Sequence, residues 1–412
     1  MGYSNDKELI ECSSSQPSFR WAMLALMSLL YGCFGLAVTS IAPLVDTISK
    51  ELSINSSQMG TILGAWQLVY IGLAYQSGSL LDRFGVKRSI AAGALAIAVS
   101  LFVRAAAVDF ITLLLAVIIF GLGGSMISVG SPKVASMWFS GRQRGMATSV
   151  SFAGSILGSI IGMALTSAVV VPLLGNWRLA FLFYGALTVV ATIVWLLLAR
   201  NQVPGTDDVR VQDQERAGNL KGIIAIDNVK LIVVLGFSVF LLNHGLRNWL
   251  PVLLIEKGVS EANAGFMAAI PMVIGMITML VIPSVVKSGY RKPTVIILLI
   301  IAGVTVIPLA LGQGAVVLVF LVISGAVRQP LNSLLLLLLM DTKGIGSARI
   351  GAAGGLFFAI SEIGGFGGPF IVGVLRDITG DAQLGIIVIG LVMLVLAPLT
   401  FKVTDYKIRD NV

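Results

Sequence analysis

The stretch GSLLDRFGVKRSI, residues 78–90, decides how this chain is interpreted. It lies between two apolar runs, approximately 58–80 and 89–107, and contains one acidic and three basic residues close together. Each flanking run is about as long as the ~20 apolar residues that an α-helix needs to cross the hydrocarbon core of a bilayer. We therefore predict a short charged loop at a membrane surface, joining two antiparallel spanning helices.

The overall composition points the same way. Hydrophobic residues make up 57% of the 412-residue chain and charged residues 12%, with a mean hydropathy of +0.96. Soluble domains carry about 25% charged residues, so this composition excludes an ordinary soluble protein. The net charge of +8 would suggest a nucleic-acid partner in a soluble protein. In a membrane protein the excess lysine and arginine is expected in cytoplasmic loops, so no nucleic-acid partner is predicted.

The sequence has no recognisable pattern of an enzyme or a metalloprotein. Its two cysteines, Cys12 and Cys33, form no disulfide framework, zinc spacing or redox pair. The glycine-rich GLGGSMISVG at 121–130 lies inside an apolar run, where a nucleotide-binding loop does not fit. The first 20 residues lack the layout of a signal peptide. We predict no catalytic residues, no metal site and no cofactor.

Twelve stretches are long and apolar enough to be predicted as spanning helices. They are approximately 21–46, 58–80, 89–107, 111–136, 147–171, 179–199, 229–254, 263–286, 294–311, 315–340, 351–375 and 383–402. One long polar segment divides them into six and six. The predicted organisation is a cytoplasmic tail (1–20), a six-helix bundle (21–199), a cytoplasmic linker (200–228), a second six-helix bundle (229–402) and a cytoplasmic tail (403–412).

The distribution of lysine and arginine predicts the orientation of the spans. If the N-terminus is cytoplasmic, most basic residues lie in cytoplasmic segments or at their membrane edges. Five lie on the other side: Lys50, Arg104, Arg178, Lys257 and Arg376. We therefore predict that both termini and the linker face the cytoplasm, in a multi-pass protein of the plasma membrane that works as a monomer.

The two predicted bundles contain related segments. SFAGSILGSIIG (151–162) aligns without gaps on FFAISEIGGFGG (357–368), and the two segments fall at equivalent places, span 5 and span 11. Phenylalanine, alanine, serine and two glycines are identical in this alignment. Glu362 occupies the position of Ile156, so the predicted helix packing is shared while the charge belongs to one half.

The loop at 78–90 resembles the signature between the second and third spans of the major facilitator superfamily, a glycine followed by Asp-Arg-x-Gly and a basic pair. The matching residues are Gly78, Asp82, Arg83, Gly85, Lys87 and Arg88, whereas Val86 replaces a residue that is usually basic. After span 8, IPSVVKSGYRKP (282–293) resembles a degenerate second copy, with Val286 in the place of the aspartate. The resemblance implies an all-α membrane protein with twelve transmembrane helices in two six-helix pseudo-repeat halves around a central cavity.

The resemblance also implies a gating role for this loop. An aspartate at the cytoplasmic membrane edge can contact a helix N-terminus or an arginine of a neighbouring span, and that contact breaks when the halves rock. For Lys87 and Arg88 the alternative is a role in topology alone. RNWLPVLLIEKGVSEANAG (247–265) and GPFIVGVLRDITG (368–380) resemble anion-handling branches, which include the anion:cation symporters and the cyanate or nitroimidazole porters.

Two charged residues are predicted near the middle of the membrane, Arg328 in span 10 and Glu362 in span 11. Such groups cost about 2.5–3.5 kcal/mol each on insertion scales, so they indicate a functional site. A guanidinium binds a carboxylate in a planar two-pronged geometry. We predict that Arg328 binds an anionic substrate group and that Glu362 carries a proton or binds a cation such as sodium. The alternative is a permanent structural pair of the two residues.

Further candidates lie on span 7 and in the N-terminal half. His244, the only histidine, and Arg247 are three residues apart and therefore share a helix face, toward the extracytoplasmic end, where Arg247 can extend to the interface. An imidazole suits proton exchange near neutral pH. For His244 the alternative is a satisfied polar residue of the bundle. Arg247 and Asn243, which lies on an adjacent face, are predicted substrate contacts. Tyr31, Trp66, Gln67 and Tyr70 are predicted near mid-depth as polar and aromatic substrate contacts, with helix packing as the alternative.

Together these features predict a secondary active transporter that moves a small organic anion, a carboxylate, by alternating access, with proton coupling. One alternative is an exporter of a cationic or amphipathic compound that uses Glu362 and the aromatic residues. An alternative of another class is a membrane ligand sensor that does not transport.

Overall fold

The computed structural model describes residues 19–200 and 220–405, and both parts are almost entirely helical. Twelve long helices give the twelve-helix, two-half fold that was predicted. They are α1 (Phe19–Thr39), α2 (Ser56–Phe84), α3 (Val86–Ala105), α4 (Phe110–Trp138), α5 (Arg142–Leu165), α6 (Trp177–Leu198), α7 (Asp227–Glu256), α8 (Glu261–Val285), α9 (Arg291–Leu311), α10 (Ala315–Met340), α11 (Ser347–Thr379) and α12 (Gln383–Leu396).

Shorter helical pieces extend or join these helices. They are a 3-10 turn (Ala42–Leu44) and a helix (Val45–Leu52) after α1, a π turn (Thr166–Val170) and a helix (Val171–Leu174) after α5, a helix (Leu220–Ile224) before α7 and a 3-10 segment (Ala397–Lys402) after α12. The helix before α7 falls inside the segment predicted as the linker. Residues 201–219 of that linker and most of both predicted tails lie outside the described residues.

α2 differs from the other long helices in composition. Eleven of the described helices are long and apolar enough to cross a membrane, whereas α2, although it has 29 residues, contains Gln58, Gln67 and Gln76. It begins with a capping box, in which the Asn55 side chain accepts a hydrogen bond from the N–H of Gln58 at 2.8 Å. It ends at Gly85, whose φ of +79° favours glycine.

Each half packs its first helix against its fifth through small residues. In the N-terminal half, a Cβ on Gly158 of α5 would collide with the carbonyl of Gly32 in α1. In the C-terminal half, a Cβ on Gly364 of α11 would collide with the carbonyl of Phe237 in α7. Close backbone approach through small residues is common between helices in lipid. The two halves are therefore built alike, as the alignment of the two segments predicted.

The two ends of the bundle differ in how the halves meet. We call the end that carries Arg200 and Leu220 the linker face, and the opposite end the distal face. At the distal face, Asp377 at the end of α11 accepts hydrogen bonds from the backbone N–H groups of Ser56 and Ser57 at the start of α2, both at 2.8 Å. A carboxylate at a helix N-terminus is electrostatically favourable. This contact joins the C-terminal half to the N-terminal half.

Arg376 adds an ion-pair network at the same place. Its guanidinium lies 2.9 Å from a carboxylate oxygen of Asp46 in the N-terminal half and 2.8 Å from one of Glu256 in its own half. Toward the linker face, by contrast, Gly72 of α2 and Gly355 of α11 face open space. The halves are therefore joined at the distal face.

One basic residue that was predicted on the extracytoplasmic side lies inside the protein. Arg104, in the last turn of α3, is 1% exposed, and its Nη1 donates to the carbonyl oxygen of Ala37 at 2.6 Å. Side chains on a helix tilt toward its N-terminus. An arginine near the distal end of α3 therefore turns back into the bundle.

Candidate functional site

Four helices bring polar side chains to the centre of the molecule. These side chains are Gln67 from α2, Asn243, His244 and Arg247 from α7, Arg328 from α10 and Glu362 from α11. The first belongs to the N-terminal half and the others to the C-terminal half. All six are among the residues that the sequence predicted to line the substrate or proton site.

His244 is held in one tautomer by its neighbours. Its Nδ1 lies 2.9 Å from Nε2 of Gln67 and 3.0 Å from Nη2 of Arg247. An arginine nitrogen can only donate, so Nδ1 accepts and the proton of the neutral ring is on Nε2. That nitrogen faces Oε2 of Glu362 at 3.8 Å. In this arrangement the neutral ring presents its N–H to the carboxylate.

Glu362 is 7% exposed and has a positively charged neighbour. The cation whose charge acts on it most is Arg247, and the hydroxyl of Tyr70 from α2 is close enough to interact with it. Its Oε2 has no hydrogen-bond partner among the described residues. A Cβ on Gly365 would come within 2.5 Å of this oxygen, so the carboxylate occupies the space that this glycine leaves.

Arg328 does not pair with Glu362 in this structure. Its Nε donates to the hydroxyl of Ser324 at 2.8 Å, and its Nη1 donates to Oδ1 of Asn243 at 3.1 Å. Within residues 19–200 and 220–405 no ion pair includes Arg328, so the alternative of a fixed Arg328–Glu362 pair is wrong for this conformation. Arg328 is 7% exposed and keeps its charge without an acidic partner.

Arg247 lies at the centre and not at the membrane interface where its position along α7 suggested that it could extend. Its guanidinium reaches back one turn to His244. The reason is the tilt of helical side chains toward the N-terminus of the helix, which for α7 means toward the linker face and the centre. Arg247 therefore lies closer to Arg328 than its position along the sequence indicated.

Aromatic rings form one wall of the site. The ring of Trp66 lies 6.1 Å from that of His244, and the ring of Phe240 stacks on the other side of the imidazole at 5.6 Å. Tyr70 follows at 6.5 Å from Trp66. Tyr31 is buried one layer away from Trp66 in the N-terminal half. Of the three predicted aromatic contacts, Trp66 and Tyr70 border the site and Tyr31 packs behind it.

Gln67 connects the halves at the centre. Its side-chain amide, which is fully buried, bonds His244 and also donates to the carbonyl oxygen of Gly365 at 3.3 Å. It therefore touches both α7 and α11 from the opposite half. Any motion that separates the halves at this level breaks these contacts.

Several buried polar atoms around the site have no hydrogen-bond partner in the described part of the chain. They are Oε1 of Gln67, Nδ2 of Asn243, Nε of Arg247, Oδ1 of Asn332 and Oγ of Ser361. The set contains both donors and acceptors. A ligand with several hydroxyl groups could satisfy them, because each hydroxyl can donate and accept.

Five residues of this region are not among those that the sequence predicted. Ser324 and Asn332 lie four residues before and after Arg328, so the helical repeat of α10 could have identified them. Ser361 and Gly365 flank Glu362 on α11. Phe240 lies one turn before His244 and was hidden among the many apolar residues of α7.

The loop signature lies at the linker face, away from the centre. Asp82 is exposed and forms an ion pair with Lys133 of α4, in the same half. Arg83 lies over the ring of Phe84, at 5.4 Å from its centroid. The other signature residues at the α2–α3 junction are Gly78, Gly85, Lys87 and Arg88. Their predicted gating role stays a prediction.

Comparison with known proteins finds membrane transporters along most of the chain. A family model described as Major Facilitator Superfamily matches residues 27–369. The hexuronate transporter of Bacillus subtilis (strain 168) is 23% identical over 358 residues, which cover 81% of this chain and 82% of that protein. A probable galactarate/D-glucarate transporter of the same organism is 21% identical, with 92% of this chain and 90% of that protein covered.

Solved structures share the fold. A bacterial homolog of the human lysosomal transporter Spinster, in an inward-facing and unoccupied conformation, superposes with a TM-score of 0.78. The superposition covers 94% of this chain and 97% of that one, at 14% sequence identity. At this identity the likeness concerns the fold alone.

Proposed function

The chain belongs to the Major Facilitator Superfamily, and on that premise we propose that it carries a small polyhydroxylated carboxylate through the space between its halves by alternating access. The family fold gives the two halves and the cavity. The chemistry of the cargo is inferred from the polar groups at the centre, and the proposed mode is secondary transport, since the sequence contains no nucleotide-binding loop.

The main support is the positive charge of Arg328. Its guanidinium is buried, bonds only neutral groups of Ser324 and Asn243, and forms no ion pair with any described residue. A permanently charged guanidinium in such a place is stabilised by an anionic ligand, and its planar fork matches a carboxylate. Arg247 adds a second positive charge, against the single acid Glu362.

The hydroxyl groups of the cargo are inferred from the unpartnered atoms around Arg328. Nδ2 of Asn243 is a donor, whereas Oε1 of Gln67 and Oδ1 of Asn332 are acceptors. The rings of Trp66 and Phe240 offer apolar surface for the carbon chain. Hexuronate and galactarate, which name the two relatives, combine carboxylates and hydroxyls in this way.

We further propose that Glu362 carries a proton with the cargo. The groups that face it are His244 and Arg247 from α7, and Gln67 and Tyr70 from α2. A carboxylate bound at Arg328 adds negative charge near Glu362 and so raises its affinity for a proton. By linkage, a proton on Glu362 raises the affinity for the carboxylate by the same factor. This reciprocity is what a proton symporter needs.

The orientation of the protein is part of the same proposal. We propose that the linker face is cytoplasmic and that the protein is a monomer in the plasma membrane, on the distribution of lysine and arginine. The contacts of Asp377 and Arg376 then join the halves on the extracytoplasmic side. Asp82 and its neighbours would contact the other half only after the linker face closes.

Uptake into proteoliposomes tests the proposal. We expect purified protein to accumulate labelled galacturonate under an inward proton gradient. Arg328→Met should reduce uptake at least about 10-fold, because loss of one charge-assisted contact is worth ~1.4 kcal/mol or more. Arg349→Met is the matched control, since Arg349 is exposed at the linker face and bonds the carbonyl oxygen of Gly344.

Three results would contradict parts of this proposal. Unchanged uptake in Arg328→Met would remove Arg328 from the binding site. Transport that quaternary ammonium compounds inhibit, and carboxylates do not, would favour the second candidate function, export of a cationic or amphipathic compound. The buried carboxylate of Glu362, which interacts with Tyr70, supports that candidate. A sodium gradient that drives uptake without a proton gradient would replace the proton by sodium.

A further inference from the structure

A fixed positive charge lies in the N-terminal half, outside the central site. Arg104 is 1% exposed, and its Nη1 donates to the carbonyl oxygen of Ala37. Its guanidinium lies over the ring of Phe120, 5.1 Å from the centroid. Its Nε has no hydrogen-bond partner in the described part of the protein. The proposed transport mechanism gives this residue no role.

No acidic side chain of residues 19–200 or 220–405 compensates this charge. Arginine stays protonated in proteins, so the charge is permanent. Burial disfavours this charge, and no described side chain of opposite charge offsets that cost. The C-terminal ends of α1 and α3 offer only the partial negative charge of their carbonyl groups. A full counter-charge therefore has to come from outside the chain.

A small cavity adjoins the guanidinium. It measures about 10 Å³ and is lined by Arg104 with seven apolar side chains, among them Ile62, Trp66 and Phe120. That volume suits one water-sized occupant, but a buried water normally needs two to four polar partners. Arg104 is the one charged side chain among the lining residues, and the indole of Trp66 carries the other polar group, an N–H. A small anion gains a full charge interaction with the guanidinium, which a neutral water molecule does not.

We propose that this cavity, the Arg104 pocket, binds a single halide ion, chloride in a physiological medium, as the counter-ion of Arg104. The pocket shares one wall with the central site, because Trp66 lines it and also contacts His244. Cargo and halide would occupy separate places on the two sides of that ring. The halide site does not depend on the identity of the cargo at Arg328.

Bromide provides a direct test, since it replaces chloride and scatters anomalously. Crystals of the full-length protein soaked in sodium bromide should show an anomalous difference peak in contact with the Arg104 guanidinium. Absence of a peak there, in crystals that show ordered bromide elsewhere, would overturn the proposal. Arg104 would then be a cap for the carbonyl group of Ala37 and nothing more.

Thermal unfolding gives a second measurement that does not need crystals. At constant ionic strength, replacing methanesulfonate by chloride should raise the melting temperature of the wild type by about 2 °C or more, as expected for a ligand of the folded state. Arg104→Met should abolish this response. Arg178→Met is the control, because Arg178 also donates to carbonyls at the end of α3, Ala105 and Ala107, but does not line the pocket.

Equal chloride responses of Arg104→Met and wild type would overturn the assignment. If that variant does not fold, the bromide crystals decide alone. Formate tests whether the small anion of this pocket is a halide or the carboxylate group of a cargo. Stabilisation by chloride and bromide, with or without formate, supports the halide site, and stabilisation by formate alone overturns it.

Discussion

The two halves of the molecule share their packing and differ in their chemistry. Gly158 lets α5 approach the backbone of α1, and Gly364 lets α11 approach the backbone of α7. Beside these glycines, the N-terminal half has Ile156 where the C-terminal half has Glu362. The glycines determine how closely the helices approach, and the neighbouring position is free to vary. A repeated fold can thus carry one-sided chemistry without losing its symmetry of packing.

The asymmetry extends over the whole central site. The ionisable side chains His244, Arg247, Arg328 and Glu362 all belong to the C-terminal half. The N-terminal half contributes the neutral amide of Gln67 and the rings of Trp66 and Tyr70. When the halves move, the four ionisable side chains therefore keep their distances from one another. What changes is their contact with the neutral groups of the N-terminal half.

The linker face gives a second version of the comparison. In the N-terminal half, Asp82 at the end of α2 pairs with Lys133 of α4. In the C-terminal half, Arg291 at the start of α9 pairs with Asp341 at the end of α10. The acid and the base have exchanged places between the two pairs. The C-terminal half therefore has an ion pair at this face although Val286 replaces the aspartate of the signature.

The most severe test breaks the shared packing. Gly364→Val should abolish recovery of folded protein, and so should its N-terminal counterpart Gly158→Val. Overpacking a core costs about 1–3 kcal/mol or more, and here the new side chain meets a backbone carbonyl that cannot rotate away. Size-exclusion chromatography of detergent extracts measures the loss of the monodisperse peak.

Gly355→Val is the control for both packing variants. It makes the same change on α11, at a position that faces open space. Normal yield is expected. If Gly158→Val folds normally while Gly364→Val does not, the packing of the two halves is less alike than the structure indicates.

A second test removes the chemical difference between the halves. Glu362→Gln should reduce proton-driven uptake at least about 10-fold, equivalent to ~1.4 kcal/mol, because the proposed proton carrier is gone. The remaining exchange of labelled against unlabelled substrate should become independent of pH. Proteoliposome assays across a range of pH values measure both effects.

Ile156→Gln makes the matched change in the N-terminal half. We expect it to leave the pH dependence in place. A Glu362→Gln variant with an unchanged response to pH would exclude this carboxylate as the proton carrier.

Sequence alone predicts the elements but not the rotation of their side chains. Uninterrupted apolar runs and the polar segment at 200–228 predict the twelve helices, and depth along the spans brings Arg328 and Glu362 to one level. Depth does not tell which way a side chain turns. Arg328 turns to Asn243 and away from Glu362, whereas Arg247 extends to the centre.

The same limit applies to Arg104. A basic residue near a helix end usually marks a membrane edge, and the sequence shows nothing else at this position. Only the neighbours in space, Ala37 and Phe120, show that the guanidinium lies inside the N-terminal half. Contacts between distant helices, which set such environments, leave no pattern in a single sequence.

A third test acts where the two halves are joined. Asp377→Asn should favour separation of the distal face by about 5- to 150-fold, because charged hydrogen bonds to the N–H groups of Ser56 and Ser57 are worth ~1–3 kcal/mol. Spin labels at Lys50 and Ile378, exposed positions on opposite halves, report the distance by pulsed electron resonance. Cys12 and Cys33 are replaced by serine first.

Asp109→Asn serves as control for this test. Asp109 also binds a helix N-terminus, through the N–H of Thr112 at 2.8 Å, but within the N-terminal half. It should leave the distance distribution unchanged. An unchanged distribution in Asp377→Asn as well would mean that the Arg376 network alone keeps the distal face closed.

The mildest effect is expected at His244. Because its ring is neutral and only presents an N–H to Glu362, His244→Gln should lower uptake about 2- to 5-fold and keep the response to pH. The measurement is the pH profile of uptake in proteoliposomes. A lost pH response with normal maximal uptake would make the imidazole, and not the carboxylate, the group that exchanges the proton.

The low apolarity of α2 has a consequence for how the protein is made. Insertion of α2 into lipid on its own is less favourable because the segment contains Gln58, Gln67 and Gln76. Among the twelve long helices, α2 is the one that is not apolar enough to be identified as a membrane span. During synthesis it should leave the translocation channel together with α1 or α3, whose surfaces cover its amides. The helix that contributes Gln67 to the centre is then the one whose insertion depends most on its neighbours.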